Sequence, residues 1–117
     1  MKKMLLFVFV FFSIIFIAGI SNSDDSSADK NPYHGDPKAV KAGAEVYDLN
    51  CRTCHGDDAK GNMCPDITVK NKKYGNSDAD LFRSISKGIP GGMPNWDDTL
   101  GAEKIWKVIT FLRSIEE

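Results

Sequence analysis

Five consecutive residues constrain this chain more than any others: Cys51-Arg52-Thr53-Cys54-His55. Two cysteines three positions apart, followed at once by histidine, make the C-x-x-C-H pattern that attaches c-type haem. Each thiol adds across one vinyl group to form a thioether. The adjoining imidazole of His55 is then held close to the iron and binds it as the proximal ligand. A C-x-x-C without the histidine also reads as a thioredoxin-like redox pair or as half of a zinc site. Zinc needs four ligands, and beyond the motif the chain holds only Cys64 and the distant His34. A redox pair needs a βαβ setting, and no strand-rich stretch flanks the motif.

The second constraint is Gly91-Gly92-Met93-Pro94-Asn95-Trp96. An iron with a proximal histidine needs a sixth ligand to act as an electron carrier, and a methionine thioether serves while raising the reduction potential. Sulfur is soft and polarizable, so it suits Fe(II) without adding charge. Pro94 and the glycines make Met93 part of a fixed-shape loop. A methionine that fills a core gap usually sits in a periodic run, and Met93 does not. Trp96 and Tyr74 each have an apolar body and a polar tip, so each is a candidate donor to a haem propionate. For Tyr74, plain packing explains the residue equally well.

Three main helices and long loops are predicted, with no strand. The first starts with Asp36 as N-cap and Pro37 at the first helical position. It carries Val40, Ala44 and Tyr47 on one face and runs into Cys51. The second is capped at Ser77, with Asp80 as capping-box partner. It runs through Leu81, Phe82 and Ile85 to Gly88, with Pro90 beyond. The third runs from about Ala102 to Ile115, with Ile105, Ile109 and Leu112 on one buried face and Gly101 just before it. Long Gly/Asp/Asn loops are unusual in a small domain unless functional. Loops that wrap a haem, with the cofactor at the centre of the core, account for them.

On these residues the chain resembles the class I, single-haem c-type cytochromes of the small bacterial kind. The matching features are Cys51–His55, Met93, Gly43 and Tyr47 at intervals of four before Cys51, the Gly61 loop leading to Pro65-Asp66-Ile67, and Trp106, Phe111 and Leu112. The resemblance covers about residues 36–117 and implies an all-α cytochrome c fold around one covalent haem. It also implies that Pro65 offers its carbonyl to the second ring nitrogen of His55. It places Gly43 where the C-terminal helix crosses the first, with Tyr47 and Phe111 as an aromatic pair. The implied function is electron transfer outside the cytoplasm, with the haem edge near Cys51 and Cys54 as the port. The partners are redox proteins, a donor and an acceptor. An enzyme or gas-binding protein would need an open iron site and a distal acid–base residue, and only His34 remains for that role. A tethered haem subunit of a respiratory or dehydrogenase complex would share the chemistry of the carrier.

The chain's 117 residues suit one domain preceded by an export segment. Lys2 and Lys3 precede the apolar run 4–20, which holds five of the seven phenylalanines. Residues 1–21 are read as a signal peptide or a retained anchor, with membrane contact through residues 4–20 in the second case. Both leave the globular part periplasmic or otherwise extracytoplasmic, soluble after cleavage or anchored by the N-terminal segment. Residues 22–35 read as a flexible polar tail and 36–117 as the haem domain. Removing Lys2 and Lys3 from the 15 basic residues leaves 13 against 16 acidic ones, a net charge of −3. That balance argues against nucleic acid as a partner.

Three residues remain. His34 reads as a surface histidine. Met63 lies in the loop expected to run past the proximal side of the haem, so it is set aside as a ligand. Cys64 is left over once two cysteines are used. It is expected as a small buried hydrophobe beside the haem, the alternatives being a free thiol or an intermolecular bridge. Before haem attachment it could form a disulfide with Cys51 or Cys54 in an oxidising compartment.

Overall fold

Helix α1 spans Pro37–Asn50 and begins as its sequence dictates. The Asp36 carboxylate accepts the Lys38 backbone N–H, one of the donors that a helix start leaves unpaired. The computed structural model describes residues 30–117, so the apolar run 4–20 and the start of the polar tail lie outside the described residues. The buried stripe of α1 is Ala39, Gly43 and Tyr47. Val40 and Ala44, expected on that stripe, are half-buried beside it. The stripe is displaced by one residue because α4 crosses over Gly43, and only a position without a side chain lets the backbones meet.

A one-turn helix, α2 (Arg52–His55), follows and carries the Cys-His motif. Helix α3 (Asp78–Lys87) has the expected capping box. The Ser77 side chain accepts the Asp80 N–H, and the Asp80 carboxylate accepts the Ser77 N–H. Helix α4 (Asp97–Ser114) is kinked at Gly101 (φ 74°, ψ 164°), so its continuous part starts at Ala102. No strand occurs among the described residues.

The core lies where α4 packs against α1 on one side and α3 on the other. Ile105, Val108 and Ile109 are its most enclosed large side chains. Tyr47 and Phe111 pair across the α1–α4 crossing, with ring centroids 5.4 Å apart and planes inclined by 51°. Phe82 of α3 stacks on Trp106 of α4 at 4.3 Å. Such pairs contribute ~0.5–1.5 kcal/mol each beyond their buried area.

Residues 31–35, expected in the flexible tail, are folded onto α4. Asn31 is buried, and its Nδ2 donates to Thr110 Oγ1 (2.9 Å) and to the Trp106 carbonyl (3.3 Å). Its Oδ1 accepts the Tyr33 N–H at 2.9 Å. An amide with donors and an acceptor can be buried when each is paired. Asn31 and Tyr33 thus pack with the helical part, although both precede Asp36.

The C-terminal turn is tied down by charge. Glu116 accepts from Lys72 Nζ (2.6 Å) and from Arg113 (2.9 Å), and Arg113 also bonds Asp78 (2.7 Å). The Lys72 side chain is only 9% exposed, and it donates as well to the Val69 carbonyl. Burial alone would raise the Glu116 pKa, but Lys72 and Arg113 outweigh it and hold the carboxyl below its usual range. Hydrogen bonds from Ser77 and Arg83 lower Asp80 likewise.

Carboxylates depressed in the folded state add stability above their unfolded pKa, about 4. They lose it as pH falls through the folded value. Melting temperature is therefore expected to hold from neutral pH to about 5 and to fall below about 4. Glu116→Gln should flatten that descent. It should also destabilise at neutral pH by on the order of 1–3 kcal/mol, because Lys72 loses its counter-charge. Thermal unfolding of parent and variant across a pH series checks both statements.

Candidate functional site

The end of α1, the α2 turn, the loop that follows and the 88–96 loop enclose one cavity of about 640 Å³. Its volume falls within the ~300–1,000 Å³ usual for cofactor sites. Cys51, Cys54, His55, Pro65, Tyr74, Met93 and Trp96 all line it. The apolar wall comes from Leu81 and Ile85 of α3 and Val108 and Leu112 of α4. Periodicity marks Leu81, Ile85 and Leu112 as core positions. Their service as cavity wall depends on how the helices are arranged.

His55 is positioned by local backbone bonding. Its N–H donates to the Cys51 carbonyl (3.0 Å), and its own carbonyl accepts the Gly61 N–H (2.9 Å). The Tyr47 hydroxyl donates to the Gly56 carbonyl at 2.6 Å, fastening the turn after the motif to α1. Burial, followed by the nearby Cys51, Asp58 and Asp57, pushes that hydroxyl up to about 12, so it stays a donor.

The His55 Nδ1 lies 3.0 Å from the Pro65 carbonyl. A carbonyl only accepts, so Nδ1 carries the proton. In the neutral ring Nε2 then keeps its lone pair free for a metal.

Met93 sits in a loop braced by three backbone bonds. Ile89 N–H donates to the Met93 carbonyl (2.8 Å), Gly92 N–H to Ile89 (3.0 Å) and Trp96 N–H to Ile85 (3.1 Å). Gly88 makes this possible: its φ is +73°, and a Cβ there would come within 2.7 Å of the Met93 carbonyl. Trp96 is half-buried, and Tyr74 is 49% exposed at the rim. Met63 also reaches the rim but is 74% exposed, and it adjoins the segment whose Pro65 holds His55. His34 is exposed on the turn before α1 and away from the cavity lining.

Cys64, expected buried, is half-buried on the cavity wall, where its N–H donates to the Cys54 carbonyl. Burial and a hydrogen bond with Cys54 both raise its pKa. Burial pushes the Cys51 thiol up to about 11.

An apolar cavity that brings together two thiols, an imidazole with its metal-binding nitrogen free and a thioether suits a covalent haem in both shape and donor set. Fold and site thus define a c-type cytochrome, whose cofactor is haem c. The chain belongs to the family described as cytochrome c oxidase, cbb3-type, subunit III, whose model matches residues 38–112.

Among relatives, the cbb3-type cytochrome c oxidase subunit FixP of Azorhizobium caulinodans is 34% identical over 113 residues, covering 90% of this chain and 37% of its own length. Cytochrome c550 of Pseudomonas aeruginosa is 30% identical over 95 residues, covering 78% of this chain and 66% of its own. The crystal structure of cytochrome cL from Methylophaga aminisulfidivorans superposes with a TM-score of 0.70 at 29% identity. That match covers 73% of this chain and 58% of the cytochrome cL chain. The chain thus spans little more than a third of the FixP sequence it matches.

Proposed function

We propose that this chain is a one-electron carrier outside the cytoplasm. In this reading one haem c is bound through Cys51 and Cys54 and ligated by His55 and Met93. Bound there, haem c supplies the Fe(II)/Fe(III) couple. The observation that carries the reading is the His55–Pro65 bond beside a cavity that Met93 also lines. It frees one histidine nitrogen and supplies a soft sulfur from a separate, braced loop.

The rest of the chain keeps that ligand set dry and still. Leu81, Ile85, Val108 and Leu112 exclude water. The Pro65 carbonyl fixes the ring of His55. Tyr74 and Trp96 line the same cavity and each carries a donor suited to a propionate. His55 and Met93 would together hold the haem iron and leave no place there for a substrate, and the partners are a reducing and an oxidising protein. A second reading, a tethered haem subunit of an oxidase, has the FixP match in its favour, because 90% of this chain aligns with that subunit.

Native purification tests the cofactor and the tether together. After acid–acetone extraction the colour is expected to stay with the polypeptide, at a mass one haem above the apo chain. Extractable haem would overturn covalent attachment. A need for detergent, with residues 1–21 retained in the measured mass, would favour the tethered subunit over the free carrier.

A further inference from the structure

The cavity that His55 and Met93 share carries a withdrawn positive charge in its wall. Lys72 lines it beside Tyr74 and Leu112, and only 9% of the Lys72 side chain is exposed. Its Nζ donates to the Glu116 carboxylate and to the Val69 carbonyl, each at 2.6 Å. Arg113 donates to the same carboxylate at 2.9 Å and pairs with Asp78 at 2.7 Å. Of these four charged residues only Lys72 reaches the cavity lining, so the groups that balance it stand behind it. Two other charged side chains, Asp66 and Lys73, line the same wall. The Asp66 carboxylate is turned to the N–H and hydroxyl of Thr68 (2.8 and 2.7 Å), and Lys73 is exposed beside the Tyr74 ring. Water and salt screen an exposed charge far more than a buried one.

We propose that the Lys72–Glu116 pair tunes the reduction potential of the bound haem, the ammonium raising it and the carboxylate restraining it. The proposal rests on the haem reading above. Reduction takes one electron from the reducing partner and lowers the charge at the iron by one, with no covalent bond formed or broken and no proton moved. A fixed positive charge in the wall repels Fe(III) more than Fe(II), so Lys72 favours the reduced state. Glu116 offsets part of that effect from behind and holds the ammonium against the wall. The pair acts in addition to the axial ligands, by charge and burial alone.

Redox titration of the full chain with haem attached tests this. Lys72→Met is expected to lower the potential and Glu116→Gln to raise it. Each should change the ratio of reduced to oxidised protein several-fold at a fixed applied potential. The double variant should return close to the parent, and Lys72→Arg, which keeps the charge, should stay near it. Lys72→Gln repeats the comparison should methionine prevent folding. The shifts should persist at high salt, whereas Lys73→Met should give only a small shift that salt removes. Substitutions that merely loosened the wall would admit water and lower the potential in both single variants. Shifts of equal sign, or none, therefore overturn the proposal while leaving the haem reading intact. A parent without any haem couple removes that reading and the proposal with it. A second readout needs no haem: acetylation mapped by mass should label exposed Lys70 and Lys73 promptly and Lys72 last. Prompt labelling of Lys72 would show its charge open to water and would also overturn the proposal.

Discussion

Replacing Met93 with alanine is expected to open the iron to carbon monoxide or imidazole and to lower the reduction potential. The backbone around Met93 is held by the Ile89 N–H, and Trp96 is held by Ile85. Loss of the thioether should therefore leave the loop in place and a free coordination position behind it. Axial ligands move haem potentials over a range of about 0.8 V. A drop on the order of 100 mV is expected for this one, since a thioether favours the reduced iron. The reduced parent should bind carbon monoxide weakly and the variant readily. Met63→Ala is the control and should move neither quantity, because that residue is mostly exposed at the rim. A parent that binds carbon monoxide readily would remove Met93 from the ligand set and return an enzyme or sensor to consideration.

Gly43→Val should unfold the chain at a much lower temperature. A Cβ at Gly43 would lie 1.9 Å from the Lys107 carbonyl oxygen and 2.5 Å from its carbon. These are backbone atoms of the crossing helix and cannot rotate aside, so α1 and α4 must separate. Overpacking typically costs about 1–3 kcal/mol, and a backbone clash belongs at or above the upper end. For a domain of this size that is a fall of roughly 15 °C in melting temperature. Gly43→Ala should lose stability too, although alanine gains about 1 kcal/mol in helix propensity. Separation of the helices would also part Tyr47 from Phe111 and shift Val108 in the cavity wall. Unchanged melting of the valine variant would refute the close crossing.

Much of this was legible in the sequence, wherever the signal is local. The haem motif is contiguous, and each helix start is written within three or four residues: Asp36-Pro37 for α1, Ser77 with Asp80 for α3, Gly101 before the straight part of α4. Caps act between near neighbours, so a local pattern is enough to find them. The one-turn α2 escaped notice because four residues without a side-chain cap carry too little periodicity to read.

What only the tertiary structure decided joins residues far apart in the chain. Asn31 meets Thr110 across 79 positions, which turns a polar tail residue into a buried one. Lys72 meets Glu116 across 44, a pairing that no local pattern around either residue announces. Leu81, Ile85 and Leu112 are apolar at helical spacing and read as core. They line a cavity only because α3 and α4 come together beside the Cys-His turn. The choice of Cys54 over Cys51 as neighbour of Cys64 was open for the same reason. Spacing lists the pairs that could meet, and the loop's backbone bonds select the one that does. Local hydrogen bonding and periodicity determine elements one at a time, whereas burial and pairing are properties of how those elements are assembled.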